Sequence, residues 1–313
     1  MNSSLSLSTS ILRNTNLLKR SFSSTAINNK SWTRLIRFEG LDNKIHYGEP
    51  INVTEINTNN VKDLKAKIVE GDILTKNNEV TDKVVGVKKL LAPLEKPPTF
   101  LCIGLNYKKH AKEANREPPI NPILFVKGTS AVNNPYDIVE VPKIATNNQV
   151  DYEVELCVVI GKKCKNVKKE DALKYVAGYT VGNDVSARKW QGNKLGGGQW
   201  SFSKSFDGFA PIGPQLVSPE IIPNPNTLQL KMKVNDETLQ NSNTKDMIFD
   251  VPTIISFLSQ GHTLEPGTVI MTGTPEGVGF TRKPPIWLLD GFKAEAYIEK
   301  IGSIKNTMKY LKE

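Results

Sequence analysis

The sequence predicts an α+β chain made mostly of β-structure: a rolled, mixed and mainly antiparallel sheet with short helices and a small N-terminal domain. Three observations carry that expectation. The apolar runs after Thr99 are short and rich in β-branched residues, and stretches with helical periodicity are few. Pro93, Pro97 and Pro98 punctuate the chain between two patterned regions. A length of 313 residues suits one large core with a smaller satellite.

The first 22 residues read as an address. No Asp or Glu precedes Glu39, and residues 1–25 hold eight serines, with Leu and Ile spaced around Arg13, Lys19 and Arg20. That is the composition of a mitochondrial transit peptide, and it lacks the apolar core of a secretory signal. Arg20-Ser21-Phe22-Ser23-Ser24 resembles a processing site with cleavage after Phe22, which assigns the mature protein to the mitochondrial matrix. A disordered polar tail is the simpler alternative.

Residues 32–92 are expected to form the small domain: 32–38 alternates like a strand, and a short helical stretch from Val61 follows a polar linker. Residues 99–313 form the expected larger domain, with strands at Phe100–Gly104, Ile123–Lys127, Ile138–Val141, Tyr152–Ile160, Leu228–Val234 and Thr268–Thr272. Asn235-Asp236 fits a hairpin turn. One helix is expected near Lys169 with Ala172, Leu173 and Val176 inward. Another follows Asp250, a candidate N-cap, with Ile254, Ile255 and Leu258 inward.

Composition narrows the chemistry. No stretch approaches eighteen consecutive apolar residues, so no membrane-spanning helix is expected. The net charge of +9 invites a nucleic-acid reading, but part of it lies in the leader and the rest includes lysine runs bounded by turns. No basic strand with interleaved aromatics supports a nucleic-acid partner. Cys102, Cys157 and Cys164 lie in or near apolar segments and read as buried free thiols. With only three histidines, a metal site must rest mainly on carboxylates.

Asp151-Tyr152-Glu153-Val154-Glu155-Leu156-Cys157-Val158-Val159-Ile160 is the most informative segment. Alternation puts Asp151, Glu153 and Glu155 on one face, followed there by Cys157 and Val159. Glutamates at i and i+2 have Cβ atoms about 7 Å apart, close enough to converge on one cation. Acids leading into an apolar surface favour a hard divalent cation: magnesium, manganese or calcium. An exposed edge strand with solvated acids would have the same spacing. Asp184, closing the Gly178–Asn183 strand, offers a third ligand, although it could equally cap the turn that follows.

His110 and Glu113 share a face if 107–113 is a short helix, and the pair would suit a general base. A surface His–Glu pair fits the spacing as well. Lys127, at the end of a strand, and Lys204, between aromatics, could meet a substrate carboxylate or an enolate oxygen, or be solvated cations. The glycines of Met271–Gly279 would let backbone N–H groups approach an anion, and a tight structural loop explains them too.

Gly104–Glu113, Phe125–Ala131, Asp151–Gly161, Gly182–Gln191, Ser203–Pro211 and Met271–Gly279 stand together, and in that order, as they do in the fumarylacetoacetate hydrolase family, which the chain resembles over roughly 99–304. The resemblance implies a β-roll-like fold and a homodimer. It implies metal ligands at Glu153, Glu155 and Asp184, with Mg2+ (or Mn2+ or Ca2+) as cofactor. It also implies catalytic roles for His110, Glu113 and Lys204, and substrate contacts at Lys127, Gln191 and Thr274. The implied substrate is a small keto-acid, undergoing keto–enol tautomerisation or, alternatively, hydrolysis of an acylpyruvate or decarboxylation. Lys189-Trp190 departs from the acidic–apolar pair common in relatives, which bears on substrate preference.

Overall fold

The computed structural model describes residues 31–312 apart from Lys76. The leader expected at 1–22, with its processing site at 20–24, lies outside the described residues.

Strands β1 (Arg34–Gly40), β2 (Ile45–Pro50), β3 (Lys65–Gly71) and β4 (Asn78–Leu91) pair antiparallel around a cluster that includes Ile36, Phe38, Ile56 and Leu64. Next come β5 (Phe100–Gly104), α1 (Lys108–Glu113), β6 (Ile123–Lys127), β7 (Val132–Asn133), β8 (Val139–Val141) and β9 (Val150–Asp151). The centre of the chain supplies β10 (Val154–Ile160), β11 (Val176–Asn183), β12 (Ser186–Ala187) and the short helices α2 (Arg188–Gln191), α3 (Asn193–Gly196) and α4 (Ser201–Lys204). It ends with β13 (Ala210–Val217), β14 (Gln229–Val234), β15 (Glu237–Asn243), α5 (Val251–Leu258), β16 (Val269–Met271), β17 (Lys293–Ile298) and β18 (Gly302–Tyr310).

Eleven strands form the main sheet, ordered β2-β3-β4-β1-β13-β11-β10-β16-β5-β6 with β7 on β13. A second sheet runs β15-β14-β17-β18-β8. Pairing is parallel at β5–β16, β7–β13 and β8–β18 and antiparallel elsewhere, which is the mixed, mostly β architecture the sequence predicts. The N-terminal strands are not a detached unit, because β1 pairs with β13 of the main sheet.

β10 is the spine of the site. It lies between β11 and β16 and is buried on both faces, which accounts for the continuous apolar run Leu156–Ile160. Leu156, Val158 and Ile160 enter one core with Ile254 and Ile255 of α5, while Cys157 and Val159 enter another with Phe100, Phe125 and Met271. The alternation read from the sequence is therefore real.

Several expectations change in detail. The helical stretch from Val61 is instead a turn leading into β3, where Ala66 and Ile68 point inward and Lys65 and Lys67 outward with the period of a strand. The Lys169 segment is a 3₁₀ helix, Lys169–Tyr175. The strand expected from Tyr152 is interrupted there: Asp151 accepts from the Tyr152 N–H at 2.9 Å, Asn183 from Glu153 at 3.0 Å and Gln240 from Val154 at 3.1 Å. Side chains thus replace the ladder where the acids lie. Asn235 and Asp236, both at positive φ, form the expected two-residue turn between β14 and β15. Asp250 caps α5 through the Thr253 N–H at 2.9 Å. The three cysteines are buried free thiols. No helix among the described residues is long and apolar enough to cross a membrane.

Candidate functional site

Glu153 lies in the break before β10, Glu155 within it, and Asp184 just past β11. The antiparallel register sets Val154 opposite Asn183 and Glu155 opposite Gly182, and the Asp184 N–H donates to the Glu153 carbonyl at 2.9 Å. One carboxylate oxygen from each of the three residues comes within 4.8 Å of the others, and all three side chains are buried. Gly182 permits this approach, since a Cβ there would stand 2.4 Å from Cys157 Sγ.

Around these acids the charges are nearly matched. Arg188 donates to Asp151 at 2.8 Å and to Glu153 at 2.5 Å. Lys204 Nζ donates to Glu153 at 2.7 Å and to Asp184 at 2.6 Å, and lies 4.9 Å over the Phe125 ring. Lys127 Nζ comes within 2.6 Å of Asp184 Oδ1 as an ion pair, but its hydrogen-bond geometry favours the Val185 and Phe209 carbonyls. Burial opposes the charge on Glu153, yet Lys204 and Arg188 outweigh it and hold this carboxyl well below its ordinary range. Burial likewise opposes the charge on Lys204, which Asp184 and Glu153 outweigh, raising its pKa.

Glu155 is the exception. It has no ion pair among the described residues and accepts one backbone N–H, from Gly273 at 2.8 Å. Burial, reinforced by Asp184 and Glu153, pushes its carboxyl well above the ordinary range. Four clustered carboxylates face three cations, and the unmatched one opens onto a cleft. An all-oxygen set with a missing counter-charge fits a hard divalent cation, and the triad could hold one.

The cleft encloses about 320 Å³. Its most buried polar lining residues, Glu153, Glu155, Lys204 and Thr274, are termed the floor; Phe125, Trp200 and Phe280 supply aromatic lining, and His110, on the largely exposed α1, marks the rim. His110, 7% exposed, sits on α1 with Nδ1 3.3 Å from Glu113 Oε2. Burial pushes the Glu113 carboxyl up, but the hydrogen bonds from His110 and the Gly277 N–H outweigh it and hold the pKa below its ordinary value. Because a carboxylate only accepts, the pair places the ring proton on Nδ1 and leaves Nε2 as the basic nitrogen.

The family profile described as "Fumarylacetoacetate (FAA) hydrolase C-terminal" matches residues 99–309. The chain belongs to the fumarylacetoacetate hydrolase family. It is 48% identical over 243 residues to the fumarylacetoacetate hydrolase domain-containing protein 2 homolog of Dictyostelium discoideum, covering 74% of this chain and 78% of the relative. It is 46% identical over 216 residues to the protein named oxaloacetate tautomerase Fahd2a, mitochondrial, of Rattus norvegicus, covering 69% and 68% respectively. Among solved structures, the 2-hydroxyhepta-2,4-diene-1,7-dioate isomerase of Mycobacterium marinum superposes with a TM-score of 0.75 at 32% identity, covering 90% of this chain and all of that one.

For this family member, the structure gathers the sequence-derived candidates unequally. His110, Glu153, Glu155, Gln191, Lys204 and Thr274 line the cleft, and Glu113 stands behind His110. Gln191 accepts from Arg188 at 3.0 Å, and Thr274 donates to the Val154 carbonyl at 3.0 Å. Lys127, expected to face substrate, is absent from the cleft wall: at 1% exposure it stands behind Asp184, because strand alternation on β6 turns Phe125 and Lys127 inward together.

Arg188 and Asp151 carry more of the site than the sequence analysis gave them. Asp151 accepts from the Gly279 N–H at 2.7 Å and the Phe280 N–H at 3.1 Å as well as from Arg188, and Arg188 stacks 4.4 Å from the Phe280 ring. The glycine-rich loop does present N–H groups to anions, but the anions are the protein's own carboxylates: Glu155, Glu113 and Asp151. Asp151's position on the face of Glu153 was the one available signal. Arg188 had none.

Proposed function

We propose that this enzyme is a divalent-metal-dependent keto–enol tautomerase of oxaloacetate. The observation that carries the reading is one cleft joining a buried three-carboxylate cluster to a His–Glu pair at its rim, in a family member nearly half identical to proteins named oxaloacetate tautomerase. Mg2+ is the proposed cofactor, with Mn2+ or Ca2+ as substitutes, held by Glu153, Glu155 and Asp184. When bound, such an ion supplies Lewis-acid charge that acidifies the carbon beside the keto group.

The chain's own residues do the rest. His110 Nε2 removes or returns the proton at C3 of the keto-acid, and Glu113 fixes the tautomer and balances the imidazolium formed. Lys204 orients Glu153 and Asp184 and offers positive charge to a developing enolate oxygen. Gln191 and Thr274 shape the substrate's seat. Lys127, held against Asp184, is a positioning residue. Phe125, Trp200 and Phe280 exclude water, which favours proton exchange over loss of the reactive enol.

A second reading rests on the same His110–Glu113 pair, which would equally activate a water for C–C hydrolysis of an acylpyruvate; decarboxylation of oxaloacetate is related chemistry. The test uses protein starting at Ser23, with Mg2+ and then with chelator. Enol-oxaloacetate is added, and enol absorbance and pyruvate are followed together. Fast, chelator-sensitive enol loss without pyruvate supports the tautomerase. Equal pyruvate release means decarboxylation, and inertness toward oxaloacetate with turnover of an acylpyruvate means the hydrolase.

The wider proposal is a mitochondrial matrix enzyme with a transit peptide at 1–22, a small N-terminal domain at 32–92 and a catalytic domain at 99–313. The relatives' mitochondrial names support the location. A homodimer is proposed, supported by Leu124 and Val126, which face outward from the edge strand β6.

A further inference from the structure

Three cationic side chains line the cleft: Arg116, Arg188 and Lys204. Two are committed to the protein. Arg188 donates to Asp151, Glu153 and Gln191, and Lys204 to Glu153 and Asp184. Arg116 makes no ion pair or side-chain hydrogen bond with any described residue.

Its backbone is nevertheless fixed. α1, which carries His110, ends with Asn115 in the left-handed region at φ 52°. The Arg116 N–H donates to the Ala111 carbonyl at 2.9 Å and the Asn115 N–H to the Lys112 carbonyl at 3.1 Å. These two bonds are the paired closure of a Schellman motif, which reverses the chain and holds the residue after the turn in place. Pro118 and Pro119 follow and stiffen the exit. Arg116 and His110 are therefore carried by one short helix and its closing turn, and both side chains line the cleft.

A dicarboxylic 2-oxo acid carries two anionic ends. One end, with its keto oxygen, belongs at the acid cluster by the reading given above. The other end needs a donor that no protein carboxylate already holds. We infer that Arg116 receives the distal carboxylate, making it the residue that selects dicarboxylic over monocarboxylic 2-oxo acids. This inference rests on the keto-acid reading of the cleft. A planar guanidinium suits the task because it offers two parallel N–H groups to one carboxylate.

The test compares the Mg2+-loaded wild type with Arg116→Gln and Arg116→Lys by calorimetric titration with oxaloacetate and with pyruvate, which has the same head and no distal carboxylate. Turnover of enol-oxaloacetate by the wild type is measured separately. The expected result is a loss of about tenfold or more in oxaloacetate affinity for Arg116→Gln, with pyruvate affinity within about twofold of wild type and Arg116→Lys in between. An oxaloacetate-to-pyruvate preference unchanged in Arg116→Gln overturns the assignment even if the wild type is an active tautomerase. A wild type that binds both probes equally overturns it as well. Absence of wild-type turnover strikes the tautomerase reading alone, since the binding preference is scored independently. Arg116 is exposed, so its variants are expected to melt with the wild type, and the thermal midpoint checks that any affinity change is local.

Discussion

The floor and the rim of the cleft hold carboxylates in opposite ways. On the floor, Glu153 and Asp184 are buried and each is clasped by two cations, while Glu155, two residues after Glu153, has only a backbone N–H. At the rim, Glu113 is partly exposed and leans on a histidine and the Gly277 N–H. On the floor, removing one charge unbalances buried cations that are shared between two carboxylates. The rim tolerates such a change structurally, because water can compensate. Stability and turnover should therefore separate between the two regions.

The largest effect is expected on the floor. Replacing Glu153 and Glu155 together by Gln removes two of three proposed ligands, and turnover should fall by roughly a thousandfold or more with retained secondary structure. Steady-state assays with circular dichroism test this, and near-wild-type activity would remove the metal assignment.

The single variants sharpen the contrast within the floor. In chelator, Glu153→Gln takes one of two carboxylate partners from each of Lys204 and Arg188 and should cost about 3 kcal/mol of stability in urea denaturation. Glu155→Gln removes an unpaired buried charge and should be neutral or stabilising in chelator, yet abolish stabilisation by Mg2+. Equal losses for both would break the comparison.

At the rim, His110→Asn should lower kcat by about a hundredfold while the melting temperature stays near wild type. Glu113→Gln should cost about tenfold, because the imidazole remains but loses its orienting acceptor.

The smallest effect is a pH signature in chelator. Glu155 has a folded pKa above its ordinary 4.5, so between those values the native state holds a proton that the unfolded chain has released. Stability should thus fall as pH rises through that window, and Glu155→Gln should flatten the slope. Glu153 has the opposite sign: its folded pKa is depressed, so its contribution is present above 4.5 and disappears only in strong acid. Mg2+ should bind more weakly as pH falls, since Glu155 must first lose its proton.

Much of the frame was legible in sequence because it is local. The alternation of residues 151–160, the His110–Glu113 spacing on α1, the Asn235-Asp236 turn and the Asp250 cap each depend on neighbours within a few positions. Local reading erred where distant groups intervened. At the break before β10, Asn183 and Gln240, far along the chain, accept from the Glu153 and Val154 N–H groups. The solvated state considered for Lys127 and Lys204 is ruled out by burial that only assembled sheets create.

By itself, then, the sequence determined which acids share a face, which histidine has a glutamate beside it, and that any metal must be held by oxygen. Only the tertiary structure decided that Asp184 joins Glu153 and Glu155, that Arg188 and Lys204 neutralise some of these acids and leave Glu155 unmatched, and that Lys127 stands behind the site. The physical reason is that charge partners meet through strand register and loop docking. The environment of these buried carboxylates is set by residues 20 to 128 positions away, which no local pattern encodes.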